Sequence, residues 1–242
     1  MKAIIVASGG MDSATAAYLY AHRGWALHLV GFDYGQRHAK ELSALMQLGE
    51  RLNAPVSIID LKAIGEFLGR NSLTSDSVVP DGHYREETMR QTVVPNRNAI
   101  MINIAAGIAQ AEGAEFVVTG VHSGDHYIYP DCRPQFINAM REAISFATEG
   151  AVALEAPFIN GDKSEIVKEG TRLNVPYELT WSCYKGGAQH CGTCGTCYER
   201  KEAFALAGAN DPTSYIVEGL EWYQGSHKAQ PAELPVGGEL EA

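Results

Sequence analysis

The sequence predicts an α/β fold built on a doubly wound, parallel, five-stranded sheet. Two observations carry that expectation. Short apolar runs alternate with helical stretches up to about residue 173, the pattern of repeated strand–helix units with helices on both faces. The first run also ends in a glycine pair from which a helix starts at once, a layout that places ligands at the carboxyl ends of the strands.

Each element has its own justification. Lys2–Ala7 is a short apolar strand. Ser13–Arg23 reads as a helix with Asp12 or Ser13 as N-cap and Gly24 just past its end. Trp25–Phe32 is the second strand, and Arg37–Leu52 is a helix whose apolar stripe is Leu42, Leu45, Met46 and Leu48. Val56–Asp60 is the third strand. Gly69–Pro95 is polar and aperiodic, a loop long enough to suggest function. Asn98–Glu112 is small and apolar enough to be a buried helix, with Asn96 or Asn98 as its cap. Glu115–Val121 and Val152–Ala156 are the fourth and fifth strands, and Pro134–Thr148 and Lys163–Leu173 are helices. Asp162 is the natural N-cap of the last of these, with Glu165 as its capping-box partner. A further helix is expected near Tyr198–Ala207. These boundaries divide the chain into an α/β domain over 1–175, a metal-binding and helical region over 176–225, and a flexible tail over 226–242.

Composition narrows the function. The chain has 242 residues, 19 Lys and Arg against 29 Asp and Glu, and a net charge of −10. That balance, with no basic run, argues against a nucleic-acid partner. No stretch of about 20 apolar residues is present, so no membrane span is expected. The N-terminus lacks the long apolar region of a signal peptide, which points to the cytoplasm.

In a reducing compartment, clustered cysteines point to metal. Cys183, Cys191, Cys194 and Cys197 fall in "CYKGGAQHCGTCGTC", with two x2 spacings that let thiolates converge on one tetrahedral ion. Four sulfurs close the shell, so structural zinc is the first reading. An iron–sulfur cluster and a redox Cys-x-x-Cys pair remain open. His190 reads as a bystander, and Cys132 as a small buried residue.

The glycine pair lies in "SGGMDS" (Ser8–Ser13), after a strand and before a helix. Glycines let successive N–H groups point at one anion, and the helix adds its own free N–H groups. The string has no Gly-Lys-Ser/Thr ending and is not G-x-G-x-x-G. It therefore suits a phosphate held by backbone N–H groups and the hydroxyls of Ser8 and Ser13. Lys163 opposes the dipole of the helix it starts, which hints at an anion nearby. Arg97, in "VVPNRNAIM", could pair with a phosphate or carboxylate. "TGVHSGDHYIYPDCRP" mixes aromatics, His122, His126, Asp125, Asp131 and Arg133, as a flat heterocycle would want; a metal role for the two histidines is the lesser reading.

"SGGMDS" resembles the signature of the ATP pyrophosphatase superfamily, whose members hold the pyrophosphate of ATP in this loop. Together with "YGQRH", "VPNRN", "YPDCRP", "DKSEIV" and "WSCY…HCGTCGTC", in that order, it is similar to the bacterial 7-cyano-7-deazaguanine synthase family of queuosine biosynthesis, over roughly Lys2–Trp222. The resemblance implies an adenine-nucleotide α-hydrolase-like, Rossmann-like fold, one zinc, magnesium with ATP, and a homodimer. It implies an ATP-dependent ligase turning 7-carboxy-7-deazaguanine and ammonia into the nitrile, by activation, amide formation, second activation and dehydration. ADP with phosphate and AMP with pyrophosphate both stay open as products. In this reading Ser8, Gly9, Gly10, Met11, Asp12 and Ser13 hold ATP, with Asp33, Tyr34 and Gly35 beyond the second strand. Lys163 joins Ser8, Asp12 and Ser13 in catalysis, and Arg97, Asp131 and Arg133 hold the substrate. Met11 stands where leucine is common in the family, and Asn96 where a small residue is common. A tRNA thiolation enzyme or an ammonia-dependent amide synthetase of the same superfamily is the alternative.

Overall fold

The computed structural model describes residues 1–36, 40–65, 67, 68, 72, 73, 78–83, 87–124 and 128–219. Its centre is a five-stranded parallel sheet in the order β3-β2-β1-β4-β5. The strands are β1 (Lys2–Val6), β2 (Ala26–Asp33), β3 (Val56–Asp60), β4 (Phe116–Thr119) and β5 (Ala153–Glu155). The helices are α1 (Met11–His22), α2 (Lys40–Leu52), the single turn α3 (Lys62–Gly65), α4 (Arg97–Glu112), α5 (Pro134–Ala147), α6 (Lys163–Arg172) and α7 (Gly195–Ala207).

The sheet is covered on both faces, and β1 shows why. Its side chains alternate, so Ile4 joins a core with α4 and α5 residues such as Ile102, Ala105 and Ile137. Ala3 and Ile5 join the opposite core, with Ala16, Ala17 and Tyr20 of α1, Leu45 of α2 and Ile166 of α6. The chain runs outward from β1 to β3, then returns to place β4 on the other side of β1. That reversal opens a crevice at the carboxyl ends of β1 and β4, where α/β sheets bind ligands.

Several boundaries differ from the sequence expectation. α1 starts at Met11 with Gly10 as N-cap, so Asp12 and Ser13 lie inside its first turn. α4 begins after Asn96, whose φ of 55° is left-handed and whose side chain makes no capping bond. Asp131 caps instead, its Oδ2 accepting the Asn98 N–H at 2.9 Å. The aperiodic stretch contains a 3₁₀ helix at Glu87–Thr92. Asp162 caps α6 as expected, accepting the Glu165 N–H at 3.1 Å. The start of the expected helix at residues 37–39, the pair Asp125 and His126, and the tail over 226–242 lie outside the described residues.

Candidate functional site

The loop after β1 is shaped by two serines and one glycine. Ser8 Oγ accepts the Gly10 N–H at 3.2 Å. Ser13 Oγ accepts the Ser8 N–H at 3.2 Å and donates to the Gly10 carbonyl at 3.2 Å. Gly9 has a φ of 86°, and a Cβ there would lie 2.1 Å from the Glu41 carbonyl oxygen, so only glycine fits. The loop thus packs directly on α2. Its backbone is tied to the C-terminal region by Trp181 N–H, which donates to Gly9 O at 3.0 Å.

This loop forms one wall of a cleft of about 210 Å³. Ser8, Gly10, Met11, Asp12, Ser13, Tyr34, Arg97 and Lys163 all line it. Gly9 itself does not line the cleft, because it packs against α2. The Asp33 carboxylate turns to Lys62 Nζ at 2.8 Å and accepts the Gly35 N–H at 3.1 Å. Burial opposes the charge on Asp33, but these two donors hold its carboxyl below the usual range. Asp131 is engaged in capping α4, and Arg133 is exposed at the start of α5.

Arg97 projects from the first turn of α4 into the cleft, with Nη1 donating to Tyr34 Oη at 3.0 Å. Burial works against its charge, yet Tyr34, Tyr184 and Tyr129 around it hold its pKa well above the usual arginine value. The result is a fixed guanidinium inside an aromatic ring of walls, suited to a planar anionic ligand. Cys132 is buried in the same wall and accepts from Asn98 Nδ2 at 3.2 Å.

The same cleft holds a charged cluster that spans four segments. Lys163 Nζ lies 2.6 Å from Glu199 Oε2 and 3.2 Å from Asp12 Oδ2. His122, fully buried, holds its Nε2 3.7 Å from Asp12 and 4.0 Å from Glu199. The anion suggested by Lys163 in the sequence is therefore present within the protein. Glu199 and its place in the cleft were not legible in the sequence.

Beside the cleft, Cys183, Cys191, Cys194 and Cys197 bring their sulfurs within 4.8 Å of one another. A tetrahedral ion with bonds of about 2.3 Å spaces its sulfurs roughly 3.8 Å apart, and Cys191 and Cys197 are 3.9 Å apart. Thr193 N–H and Cys194 N–H both point at Cys191 Sγ, at 3.4 and 3.3 Å. The neighbouring thiols, with the Thr193 N–H, pull the Cys191 thiol far down, while the same crowding pushes Cys183 and Cys197 up. Four thiolates can share this space only with a cation among them, so the donor set fits a metal ion. His190 is no competitor: its Nε2 accepts the Ser182 N–H at 3.1 Å, and burial pushes its pKa down to about 4.

The metal centre and the cleft are one construction. Cys194 is the N-cap of α7, Cys197 lies in its first turn, and Gly195, Thr196 and Glu199 line the cleft. Arg200, fully buried on the same helix, locks it down through Thr180 Oγ1 at 2.7 Å, Tyr177 O at 3.0 Å and Asp211 Oδ1 at 3.1 Å.

A glycine loop at the reversal point of a doubly wound sheet, opening on a charged cleft beside a four-cysteine cluster that could hold a metal ion, is the layout of an α/β enzyme acting on an anionic ligand. The chain belongs to the QueC family: the model described as "Queuosine biosynthesis protein QueC" matches residues 2–208. It is 54% identical over 217 residues to the 7-cyano-7-deazaguanine synthase of Rhizobium rhizogenes, covering 89% of this chain and 92% of that one. It is 51% identical over 235 residues to the enzyme of the same name from Sinorhizobium fredii, covering 96% and 99%. No described helix is long and apolar enough to cross a membrane.

Proposed function

We propose that this chain is an ATP-dependent carbon–nitrogen ligase that converts 7-carboxy-7-deazaguanine and ammonia to 7-cyano-7-deazaguanine. The observation that carries the reading is a single cleft joining the Ser8–Ser13 loop to the Arg97 pocket. A carboxylate must be activated before ammonia can displace an oxygen from it, and the amide must be activated again to lose its own. One site holding both nucleotide and carboxylate serves both rounds.

Ser8, Gly9, Gly10, Met11 and Ser13 bind the phosphates, and Asp33, Tyr34 and Gly35 border the rest of the nucleotide. Asp12 fits a magnesium ion carried by ATP, because its Oδ1 is buried with no hydrogen-bond partner. Lys163 neutralises the departing phosphate. Arg97 orients the substrate carboxylate, with Asp131 and Arg133 beside the entrance of the deazaguanine ring. Zinc is the metal that the four sulfurs best suit, and its closed shell would fix α7 rather than take part in the reaction. We place the enzyme in the cytoplasm as a homodimer, with an α/β domain over 1–175 and a metal-binding region over 176–225.

Incubation with ATP, magnesium, ammonium and 7-carboxy-7-deazaguanine, followed by mass spectrometry, tests the reading. The nitrile is expected from the native chain and absent from Asp12→Ala and Ser13→Ala. The same samples distinguish AMP from ADP. No deazaguanine product from a metal-loaded chain that still binds ATP would sink it.

A further inference from the structure

We propose that Glu199 captures the incoming ammonium ion, and that Lys163 releases Glu199 for this role only when nucleotide phosphate is bound. The proposal rests on the function above. Glu199 is 6% exposed and lines the cleft. A carboxylate in such a place needs a cation, and it has one: Lys163 Nζ at 2.6 Å. The same Nζ is 3.2 Å from Asp12 Oδ2. A primary ammonium group is thus already seated between two carboxylates at the edge of the phosphate loop.

Among the described residues, the titratable groups that face Glu199 are Lys163 from α6, His122 from the segment after β4 and, across Lys163, Asp12 from α1. His122 Nδ1 accepts the Gly124 N–H at 3.1 Å, which leaves the ring proton on Nε2, the nitrogen turned toward the two carboxylates. That nitrogen stands 3.7 Å from Asp12 and 4.0 Å from Glu199, so the two carboxylates are the groups of the cluster that attract a cation.

Asp12 belongs to the loop that would receive the triphosphate. Phosphate there offers Lys163 several negative charges in place of one. Once Lys163 turns to it, Glu199 is a buried carboxylate without its counter-ion, and ammonium has the charge and donors of the group that left. One N–H bond of the ammonium breaks and its proton passes to solvent. The nitrogen keeps the electron pair and forms the C–N bond at the activated carboxyl carbon. The C–O bond to the phosphoryl group breaks with its pair on the phosphate oxygen, which takes the second proton as the amide forms. The exchange also sets an order, nucleotide before ammonium.

The test uses the full, metal-loaded chain, with ammonium chloride varied at fixed ATP and 7-carboxy-7-deazaguanine between neutral and mildly alkaline pH. Glu199→Gln is expected to lower kcat/KM for ammonium on the order of 100-fold at neutral pH while leaving the KM for ATP unchanged or lower, because Lys163 no longer has to leave a charged partner. The deficit narrows as pH rises and free ammonia replaces ammonium. Hydroxylamine, uncharged at neutral pH, is expected to give hydroxamate with the variant as readily as with the native chain. An equal loss toward ATP and ammonium at every pH would overturn the role and leave Glu199 a support for Lys163. Should the Gln variant fail to fold with its metal, Glu199→Asp keeps the charge with a shorter reach: a loss confined to ammonium supports the role, a loss shared with ATP overturns it. A native chain that makes neither amide nor nitrile overturns the function and this role together, whereas nitrile from the native chain with no ammonium defect in the variant overturns this role alone.

Discussion

Tyr177 Oη lies 3.0 Å from Thr15 Oγ1, and it donates to the Ile166 carbonyl at 3.1 Å. Thr15 sits in α1 two residues after the Ser8–Ser13 loop, Ile166 in α6 close to Lys163, and Tyr177 in the segment leading to the cysteines. One buried hydroxyl therefore ties together the three parts of the chain that build the cleft.

That phenol gives an alkaline stability prediction. Burial pushes Tyr177 up to about 12, against roughly 10 in an unfolded chain. The native state holds the proton more tightly, so this contribution is complete below about pH 10 and is lost as pH rises through about 12. Two units correspond to about 3 kcal/mol. Tyr177→Phe is expected to cost about 1 kcal/mol at neutral pH and to flatten the alkaline loss. Urea unfolding across the alkaline range reads both effects. A variant that loses stability as steeply as the native chain would assign the titration to other buried tyrosines.

Gly9 and Gly35 separate two kinds of glycine requirement. Both have left-handed φ values, 86° and 82°, but a Cβ at Gly9 meets the Glu41 carbonyl while one at Gly35 meets nothing within 4 Å. Gly35→Ala should cost only the backbone strain, about 1–2 kcal/mol. Gly9→Ala adds a collision between two backbones, so it should cost more and also weaken ATP binding. Thermal melts paired with ATP titration check the contrast; equal effects at the two positions would mean that the loop can shift off α2.

The fold and the site were legible to different depths. The five strands and the phosphate loop could be read because apolar alternation and the Ser-Gly-Gly-x-Asp-Ser string are local signals. β4 ends at Thr119 rather than Val121, and the next residue, Gly120, lies against the Asp12 backbone, a contact between distant segments. Glu199 escaped for the same reason. In "YERKEAF" the charges look solvated, yet Glu199, Arg200 and Lys201 are 6%, 0% and 9% exposed. Their partners Lys163, Asp211 and the Gly192 carbonyl, and the approach of His122 to Glu199, become visible only when α7 is docked. Asp131 read as a ligand for the ring, and its further role as the cap of α4 depends on a contact across 33 positions.

Metal removal should act on the cleft before it acts on the sheet. Cys194 and Cys197 begin α7, which carries Glu199 into the cleft, whereas none of the five strands touches the sulfurs' cluster. One metal per chain is expected, with structural zinc sites contributing on the order of 10 kcal/mol of binding energy. Chelation or Cys194→Ser should abolish ATP-dependent turnover while parallel-sheet signals in circular dichroism persist. Metal analysis with activity and spectra on the same samples decides this. A visible charge-transfer absorption would replace zinc with an iron–sulfur cluster, and full activity in metal-free protein would detach α7 from the reaction.

Arg97 carries the last prediction. Its guanidinium is held by Tyr34 Oη at 3.0 Å and faces the cleft from the start of α4. Lysine at this position would keep a positive charge but lose the planar fork that meets a carboxylate with two parallel hydrogen bonds. Arg97→Lys is therefore expected to weaken the carboxylated substrate by about 1.5–3 kcal/mol, which is roughly 10- to 150-fold in kcat/KM. The KM for ATP should change little, because in the proposed function the phosphates bind at Ser8–Ser13 and not at Arg97. The amide of 7-carboxy-7-deazaguanine, supplied directly, bypasses the first activation and has no carboxylate to clamp. It should be turned over by Arg97→Lys nearly as well as by the native chain. A variant impaired equally on acid and amide would move Arg97 from the carboxylate to the ring or to the nucleotide.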